Sequence, residues 1–568
     1  MKNRFVVRIR IISALFIVFA LVLVGKLYMV QIVQGESFSQ RADRQYNKPQ
    51  ASVFDRGSIS FQYHNNSLFT AATLRSCFIV ALNPSILENP EDVWIQVSPY
   101  LSIGRELFLE RALKKTDPYE EIAKKVTEQN AKAIQSLSIS GVMVYEERCR
   151  FYPGESLASQ TVGLLAFKED EYAGRYGLER YYEDILVRDT TDTYKNFFVE
   201  IFSNIKKTIF EKKSPEGNIV TSLELGTQMF LEKRLKDINK KWSSDATGGI
   251  IMNPKTGEII AMALDSSFNL NALEASQVSS FGNPLVENVY EMGSIIKPLT
   301  IAAGIDAGVI NSKTTYDDKG FLILNGSRIS NYDGKGRGVV DMQEVLSKSL
   351  NTGVAFVVSK LGNKQFGDYF KSLEMGEETG IDLPNETRGL ISNLDSTREL
   401  EYVTASYGQG IALTPIGTVR ALSTLANAGV LPHPHLVTEV SYDIGTSRTI
   451  SSLPGDQVFK KETTEEVTRM LVKVVDTALL NGKIKNPHYA VAAKTGTAQI
   501  AKPKEGGYYT DRFLHSFFGY FPAYDPQFII FLYTVYPKNV SYASETLTES
   551  FSEITQFLIN YYQIPPDR

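Results

Sequence analysis

The sequence predicts a membrane-anchored α+β protein, and three observations along its 568 residues predict this fold class. A long apolar run follows a basic N-terminus. Short β-like runs, such as 76–82, then alternate with charged stretches of helical pattern, such as 119–137. From Thr221 onward an amphipathic helix precedes a β-hairpin, which indicates a second domain. The predicted organisation is a cytoplasmic tail at 1–10, a transmembrane helix at 11–33, a pedestal at 34–220 and a second domain at 221–568.

The N-terminal segment has the composition of a membrane anchor. Four cations precede it: Lys2, Arg4, Arg8 and Arg10. Apolar residues then run from Ile11 to Val33 with one charge, Lys26, and about 20 such residues cross a bilayer. A cleaved signal peptide is the alternative, but no small-x-small cleavage site precedes Gln34. The basic flank predicts a cytoplasmic N-terminus, with the bulk of the chain outside the inner membrane.

Composition excludes several other classes of protein. The chain is 43% hydrophobic and 22% charged, which argues against wholesale disorder. Its net charge of −4 is spread without long runs, so nothing predicts nucleic-acid binding. Five histidines and two cysteines, Cys77 and Cys149, argue against a zinc cluster or a disulfide framework. A single bridge between the two cysteines stays open.

Local patterns predict individual elements in the second half of the chain. The charged, turn-rich stretch 205–217 resembles a connector. The predicted elements that follow it are an amphipathic helix at 225–242, a β-hairpin at 248–263 and a helix near the end at 549–562.

The first candidate for chemistry is the pair Ser294 and Lys297, in the apolar stretch YEMGSIIKPL. A serine hydroxyl is a poor nucleophile until a base accepts its proton. A lysine can be that base only if burial and a second cation lower its pKa. Another S-x-x-K occurs at 203–206, so the pair needs partners elsewhere in the chain.

Two downstream motifs supply such partners. Ser349 and Asn351 form an S-x-N, and residues 494–497 read K-T-G-T. S-x-x-K, S-x-N and K-T-G in this order are a known signature of serine acyl-transfer enzymes. The similar triplets at 267–269 and 255–257 both precede Ser294, so their order rejects them. A helix cap at Ser349 and Asn351, and a surface turn at 494–497, are the structural alternatives.

These motifs predict a role for each side chain. We expect Ser294, at a helix start, to be the nucleophile, and Lys297 to be its base. Lys494 supplies the second cation. Ser349 relays a proton to the leaving group, and Asn351 orients substrate or Lys297.

The K-T-G-T strand is predicted to bind substrate. Lys494, Thr495, Gly496 and Thr497 would hold a substrate carboxylate and peptide backbone. The backbone amides of Ser294 and Thr497 would form an oxyanion hole.

At these residues the sequence resembles a class B penicillin-binding protein, and the resemblance covers nearly the whole chain. Residues 290–298 resemble the E-P-G-S-x-x-K segment of that family, with Met292 in place of proline. Four further segments resemble family motifs: 378–389 and 406–429 in the second half, and 148–154 and 175–186 in the first half. Residues 55–61 match only half of their motif, because Phe61-Gln62-Tyr63 replaces the rest, and Gly417 replaces a usual glutamine.

The resemblance implies a fold and an activity. A pedestal would precede a transpeptidase domain, a β-lactamase-like antiparallel sheet flanked by helices. The enzyme would be a peptidoglycan D,D-transpeptidase that cross-links stem peptides through a serine acyl-enzyme, inhibited by β-lactams. No metal or organic cofactor is implied.

The family also implies partners and a cellular role. Class B proteins pair with a SEDS-type glycosyltransferase and other cell-wall or division proteins in the inner membrane. YEMGS and residues 516–528 resemble the division type more than the elongation type, so septal cell-wall synthesis is the expected role. The alternatives are an elongation-type enzyme, a β-lactamase or D,D-carboxypeptidase of the same fold, and a catalytically idle scaffold.

Overall fold

The computed structural model describes most of the chain after its N-terminal segment. The described residues are 54–168, 171–188, 216–273, 275–443, 445–451, 453–502 and 506–568, with four isolated positions at 19, 23, 26 and 29. The S-x-x-K match at 203–206, nearly all of the predicted connector at 205–217, and all but these four positions of the predicted anchor at 11–33 therefore lie outside the described residues. No helix among the described residues has the length and apolar character needed to span a bilayer.

The described part contains eighteen strands and seventeen α-helices, in an α+β arrangement. The strands are β1 (Ile59–Gln62), β2 (Leu68–Leu82), β3 (Glu120–Val126), β4 (Val142–Phe151), β5 (Leu165–Lys168), β6 (Glu171–Gly174), β7 (Gly217–Glu224), β8 (Ala246–Met252), β9 (Ile259–Leu264), β10 (Thr315–Asp318), β11 (Phe321–Leu324), β12 (Ser327–Ser330), β13 (Gly338–Asp341), β14 (Val437–Tyr442), β15 (Ser447–Thr449), β16 (Ala492–Ala501), β17 (Tyr508–Phe521) and β18 (Phe528–Val535). The helices are α1 (Pro90–Val97), α2 (Arg105–Ala112), α3 (Glu128–Ser136), α4 (Ser159–Val162), α5 (Gly177–Tyr181), α6 (Glu183–Leu186), α7 (Leu225–Trp242), α8 (Pro284–Glu287), α9 (Lys297–Asp306), α10 (Met342–Ser347), α11 (Asn351–Leu361), α12 (Asn363–Ser372), α13 (Glu399–Ala405), α14 (Pro415–Ala426), α15 (Lys461–Lys473), α16 (Ala543–Thr546) and α17 (Thr548–Tyr561).

These elements form two compact units. The described residues of the smaller unit are 76–149, 54 and the four isolated positions before it. Those of the larger unit are 55–75, 150–168, 171–188, 216–273, 275–443, 445–451, 453–502 and 506–568.

In the smaller unit, β3 and β4 both pair with β2, and helices α1–α3 pack with them around a core of Val80, Phe108 and Ile134. The predicted β run at 76–82 is confirmed. The prediction of a helix throughout 119–137 is wrong in its first half, which forms β3. Ile122 and Val126 are buried there while the backbone pairs antiparallel with β2. The helical part begins only after Thr127, whose side chain caps α3.

In the larger unit, a five-stranded antiparallel sheet has the order β16-β17-β18-β8-β9. The predicted helix at 225–242 is α7, the predicted hairpin is β8–β9, and the predicted last helix is α17, shifted by one residue. Apolar side chains of α7 and α17, including Leu235 and Ile554, form one core with this sheet. Strand β16 is at the edge of the sheet, so one side of its backbone is available to another element.

Three motifs from the first half of the chain meet in a buried ion-pair network of the larger unit. Glu179 lies between Arg56 and Arg150, with an N–O distance of 2.7 Å to each guanidinium. Arg56 also pairs with Glu183 at 2.6 Å, and the hydroxyl of Tyr152 donates to Glu179 at 3.2 Å. Although burial alone would raise it, the two arginines hold the pKa of Glu179 below its usual value. The network joins the chain just before β1, the end of β4 and helix α5.

We expect Glu179→Ala to destabilise the protein by about 3–5 kcal/mol, because Arg56 and Arg150 would stay buried without their counter-ion. Chemical denaturation, followed by tryptophan fluorescence and by the loss of secondary structure, would measure this. The matched control is Asp368→Ala, which breaks an exposed pair with Lys364 and should cost less than about 1 kcal/mol. Equal effects of the two substitutions would contradict the structural role of the network.

Candidate active site

Ser294 lies in a short 3-10 turn, Gly293–Ile295, directly before helix α9. The helix start predicted at Ser294 is three residues early, because α9 begins at Lys297 and the serine makes no capping hydrogen bond. Gly293 has a φ of +69°, a left-handed conformation that suits glycine. Pro298 lies in the first turn of α9.

A loop of the larger unit holds this turn from one side. The backbone N–H of Gly293 donates to Gly408 O at 3.0 Å, and Tyr290 and Leu413 exchange two hydrogen bonds of 2.9 Å. Gly408 must be glycine for this contact, since a Cβ there would lie 2.2 Å from Gly293 O. The segment 406–429, which the sequence singled out only by resemblance, therefore positions the turn that carries Ser294.

The free edge of β16 packs against the same turn from the other side. A Cβ on Gly496 would lie 2.6 Å from Met292 O, and a Cβ on Gly293 would lie 3.2 Å from the carbonyl of Thr497. Ser516 on the neighbouring strand β17 donates to Met292 O at 2.7 Å. The glycine of the K-T-G motif is thus explained by the close approach of two backbones, and residues 494–497 lie beside Ser294.

The three motifs meet at Ser349. Lys297 Nζ donates to Ser349 O at 2.6 Å and lies 3.1 Å from Ser349 Oγ. Lys494 Nζ lies 3.1 Å from the same Oγ and donates to Thr495 O at 2.9 Å. Both lysines are buried, with 0% and 3% of their surface exposed. The structure therefore brings the predicted base, relay and second cation into one cluster.

Ser349 adopts an unusual backbone conformation to make these contacts. Its φ is +55°, which costs a non-glycine residue of order 1 kcal/mol or more. Helix α11 begins at Asn351, its N-cap is Leu350, and no side chain caps it. The structural alternative, in which Ser349 and Asn351 serve as a helix cap, is therefore wrong.

Asn351 occupies a different position from the one predicted for orienting Lys297. Its side-chain amide donates to Ser330 O at 2.8 Å, and no hydrogen bond joins it to Lys297 among the described residues. Ser349 orients the lysine instead. The amide of Asn351 fixes β12 at the start of α11, next to the cluster.

The electrostatics of the cluster favour a neutral amine on Lys297. Burial, and secondarily the charge of Lys494, lowers the pKa of Lys297 well below its usual value. Burial also lowers the pKa of Lys494, to about 7. Both shifts therefore favour the neutral amine, and on Lys297 the neighbouring Lys494 adds to the effect of burial. A neutral amine that donates two N–H groups to Ser349 retains a lone pair for a proton from Ser294.

The remaining residues of the K-T-G-T strand line the same edge. Thr495 and Thr497 are each partly exposed, whereas Gly496 is buried. Thr497 Oγ1 accepts a hydrogen bond of 3.1 Å from the backbone N–H of Ala543. The strand thus leaves two threonine side chains accessible beside Ser294, as the substrate-binding prediction requires.

Sequence reasoning missed Glu291, which lies three residues before Ser294. Its Oε1 accepts hydrogen bonds of 3.1 Å from both Gly410 N and the hydroxyl of Tyr508. Burial raises the pKa of this carboxyl group. Glu291 connects the loop that carries Gly408 with the start of β17. No local pattern indicates these contacts, because both partners lie more than a hundred residues away from Glu291.

The rejected triplets lie elsewhere. Lys255 is at the tip of the β8–β9 hairpin, where it pairs with Asp525. Phe268, at the centre of the other S-x-N, packs in the apolar core. The choice of Lys494 and Ser349 over these residues agrees with their positions.

Two family models match the chain. The Penicillin binding protein transpeptidase domain matches residues 247–556, and the Penicillin-binding Protein dimerisation domain matches residues 56–222.

Curated relatives match along nearly the full length. Stage V sporulation protein D of Bacillus subtilis is 29% identical over 91% of this chain and 80% of the relative. Peptidoglycan D,D-transpeptidase MrdA of Acinetobacter baumannii is 28% identical over 92% of this chain and 84% of the relative. Peptidoglycan D,D-transpeptidase FtsI of Buchnera aphidicola is 25% identical over 99% of this chain and 96% of the relative.

Solved structures share the fold. Penicillin Binding Protein 2X from Streptococcus thermophilus has a TM-score of 0.70 at 22% identity, covering 90% of this chain and 81% of that chain. Penicillin binding protein 3 from Mycobacterium tuberculosis, in complex with aztreonam, has a TM-score of 0.68 at 20% identity, covering 91% of this chain and 98% of that chain.

The cluster predicts a characteristic pH dependence for acylation of Ser294 by a penicillin. The rate should fall as the pH is lowered, because protonated Lys297 cannot accept a proton. Lys494→Gln should move this acid limb to higher pH, because removing a neighbouring positive charge raises the pKa of Lys297. Stopped-flow acylation over a pH series would measure it.

The matched control for this pH series is Lys255→Gln, at the exposed hairpin tip. It should leave both the rate and the acid limb unchanged. An acid limb that stays in place in Lys494→Gln would show that the two lysines are not coupled.

Proposed function

Because the chain belongs to the penicillin-binding protein transpeptidase family, we propose that it is a serine-type peptidoglycan D,D-transpeptidase acting through Ser294. One observation carries this proposal. Two buried lysines share the hydroxyl of Ser349. Lys297 begins the helix that follows Ser294, and Lys494 lies on the edge strand that packs against the turn of Ser294. The names of the relatives, two of which are called peptidoglycan D,D-transpeptidases, support the same reaction.

The proposed first step is acylation. Ser294 Oγ attacks the penultimate D-Ala carbonyl of a stem peptide while the lone pair of Lys297 takes its proton. The oxyanion lies between the backbone N–H groups of Ser294 and Thr497, which supply fixed dipoles where negative charge develops. The proton returns through Ser349 to the amine of the leaving terminal D-Ala.

The proposed second step transfers the acyl group to an amine of a neighbouring stem peptide. Ser349 and Lys297 then act in reverse and remove the proton of the attacking amine. Lys494, Thr495 and Thr497 hold the carboxylate and backbone of the donor peptide along the edge of β16, with Asn351 on the opposite side. β-Lactams enter the same site and acylate Ser294.

The placement of the enzyme in the cell is part of the proposal. Residues 11–33 anchor it in the inner membrane, with residues 1–10 in the cytoplasm and the bulk of the chain outside. The composition of the N-terminal segment supports this. The pedestal and the anchor bind a SEDS-type glycosyltransferase, which supplies the glycan strands.

Ser294→Ala should abolish covalent labelling by a fluorescent penicillin, because it removes the hydroxyl that forms the acyl-enzyme. Lys297→Ala should slow acylation by at least about 10²-fold with the fold unchanged. The matched control is Ser267→Ala, in the rejected S-x-N, which should label normally. Labelling of Ser294→Ala at wild-type stoichiometry would refute the assignment, and loss of label within seconds from the wild type would indicate a β-lactamase.

The septal role makes a separate prediction, which rests on the resemblance of residues 290–294 and 516–528 to the division type. A fluorescent fusion that complements depletion should concentrate at the division site, and depletion should produce filaments. Distribution along the side wall, with rounded depleted cells, would favour the elongation role. Complementation by Ser294→Ala would instead favour the scaffold.

A further inference from the structure

The two cysteines of the chain meet in the smaller unit, although they are far apart in the sequence. Cys77 lies in β2 and Cys149 in β4, and these strands are paired. Cys77 Sγ donates to Glu147 Oε1 at 3.7 Å. Glu147 lies two residues before Cys149 in β4, so the two side chains share one face of that strand. Only 2% of Cys77 and 6% of Cys149 is exposed. The 568 residues contain no other cysteine. The closeness of these two therefore does not follow from a large number of cysteines in the chain.

The two cysteines also mark the ends of the unit. Its continuous described part begins at Ser76 and ends at Cys149. A covalent bond between the two sulfur atoms would close this whole stretch into one loop. Cross-links that close long loops remove much of the conformational freedom of the unfolded chain.

We propose that Cys77 and Cys149 are a modification site, at which a structural disulfide forms by exchange with a disulfide-bearing oxidant protein outside the membrane. The proposal rests on the proposed function, which places this unit in a compartment where disulfides persist. The geometry allows the bond. Cys77 donates to a residue on the face of β4 that carries Cys149. Facing residues of paired strands have Cα atoms about 4.5–5.5 Å apart, within the roughly 4.4–6.8 Å that a disulfide spans.

The exchange balances without any other reactant. One cysteine thiolate attacks the disulfide of the oxidant, which forms a mixed disulfide and releases one thiolate of the oxidant. The second cysteine thiolate then attacks the cysteine sulfur of the mixed disulfide, forms the Cys77–Cys149 bond and releases the other thiolate. Two electrons pass to the oxidant, and the two protons lost by the cysteine thiols are taken up by its two thiolates, so that it leaves as a dithiol.

The surroundings of the thiols indicate that the exchange takes place during folding, before the two thiols are buried. The neighbouring Cys149 thiol, together with burial and the carboxylate of Glu147, raises the pKa of the Cys77 thiol. The folded unit therefore holds little of the reactive thiolate and offers no open path to it. We expect the bond to form before β2 and β4 close over it, and to be protected afterwards.

Counting thiols on the full-length protein tests the proposal. Membranes are quenched with acid, denatured and treated with a heavy maleimide, with and without prior reduction. The wild type should gain no maleimide without reduction and two after it. Cys77→Ser and Cys149→Ser should each gain one maleimide without reduction. A disulfide-linked dimer of the wild-type protein would overturn the proposal.

The same membranes are labelled with a fluorescent penicillin, so that two failures can be distinguished. If the wild type takes the penicillin but gains two maleimides without reduction, the disulfide proposal fails and the enzyme proposal stands. If the thiols are protected but no penicillin binds, the enzyme proposal fails and the disulfide stands.

A second measurement does not depend on either variant. The purified wild-type protein, oxidised or fully reduced, is melted in detergent. The oxidised form should melt higher by about 5 °C or more, because the closed loop destabilises the unfolded state. Equal melting temperatures would overturn the proposal.

Discussion

The contact on which the site depends is that of the free edge of β16 with the turn Gly293–Ile295. It requires a bare backbone on both sides, because a Cβ on Gly496 would lie 2.6 Å from Met292 O and one on Gly293 would lie 3.2 Å from the carbonyl of Thr497. The sheet order leaves β16 at an edge, so the sheet itself does not compete for that side of the strand. The K-T-G glycine is thus a packing requirement before it is a chemical one.

The same packing buries the side chains of Lys297 and Lys494 close to each other. Desolvation disfavours a protonated lysine, and a neighbouring ammonium disfavours it further. Helix α9 supplies Lys297, the connection between α10 and α11 supplies Ser349, and strand β16 supplies Lys494. Packing from three parts of the chain therefore offsets the cost of burying the two lysines. The left-handed conformation of Ser349 is part of that cost, since it presents both its carbonyl and its hydroxyl to Lys297.

Much of this was predictable from the sequence where local pattern and tertiary structure agree. Helix α7 has the bounds predicted from its apolar spacing, and ordered motifs correctly joined Ser294, Ser349 and Lys494. Prediction was wrong where a distant partner decides the local structure. Strand β3 has apolar residues at spacings that also suit a helix, and only its pairing with β2 makes this segment a strand. The direction of Asn351 and the contacts of Glu291 depend on Ser330, Gly410 and Tyr508, which no spacing rule connects to them.

The larger unit has two buried clusters of charged side chains. The presence or absence of a counter-ion explains why one cluster is structural and the other reactive. Arg56 and Arg150 share the carboxylate of Glu179, so every charge there is matched and its protonation is fixed. Among the described residues, neither Lys297 nor Lys494 has a carboxylate in ion-pair contact; both lie against the neutral Ser349. A counter-ion would raise the pKa of Lys297 and keep its proton in place. Leaving the lysines without one costs stability, and the same imbalance favours the neutral amine of Lys297, whose lone pair can then take a proton from a serine.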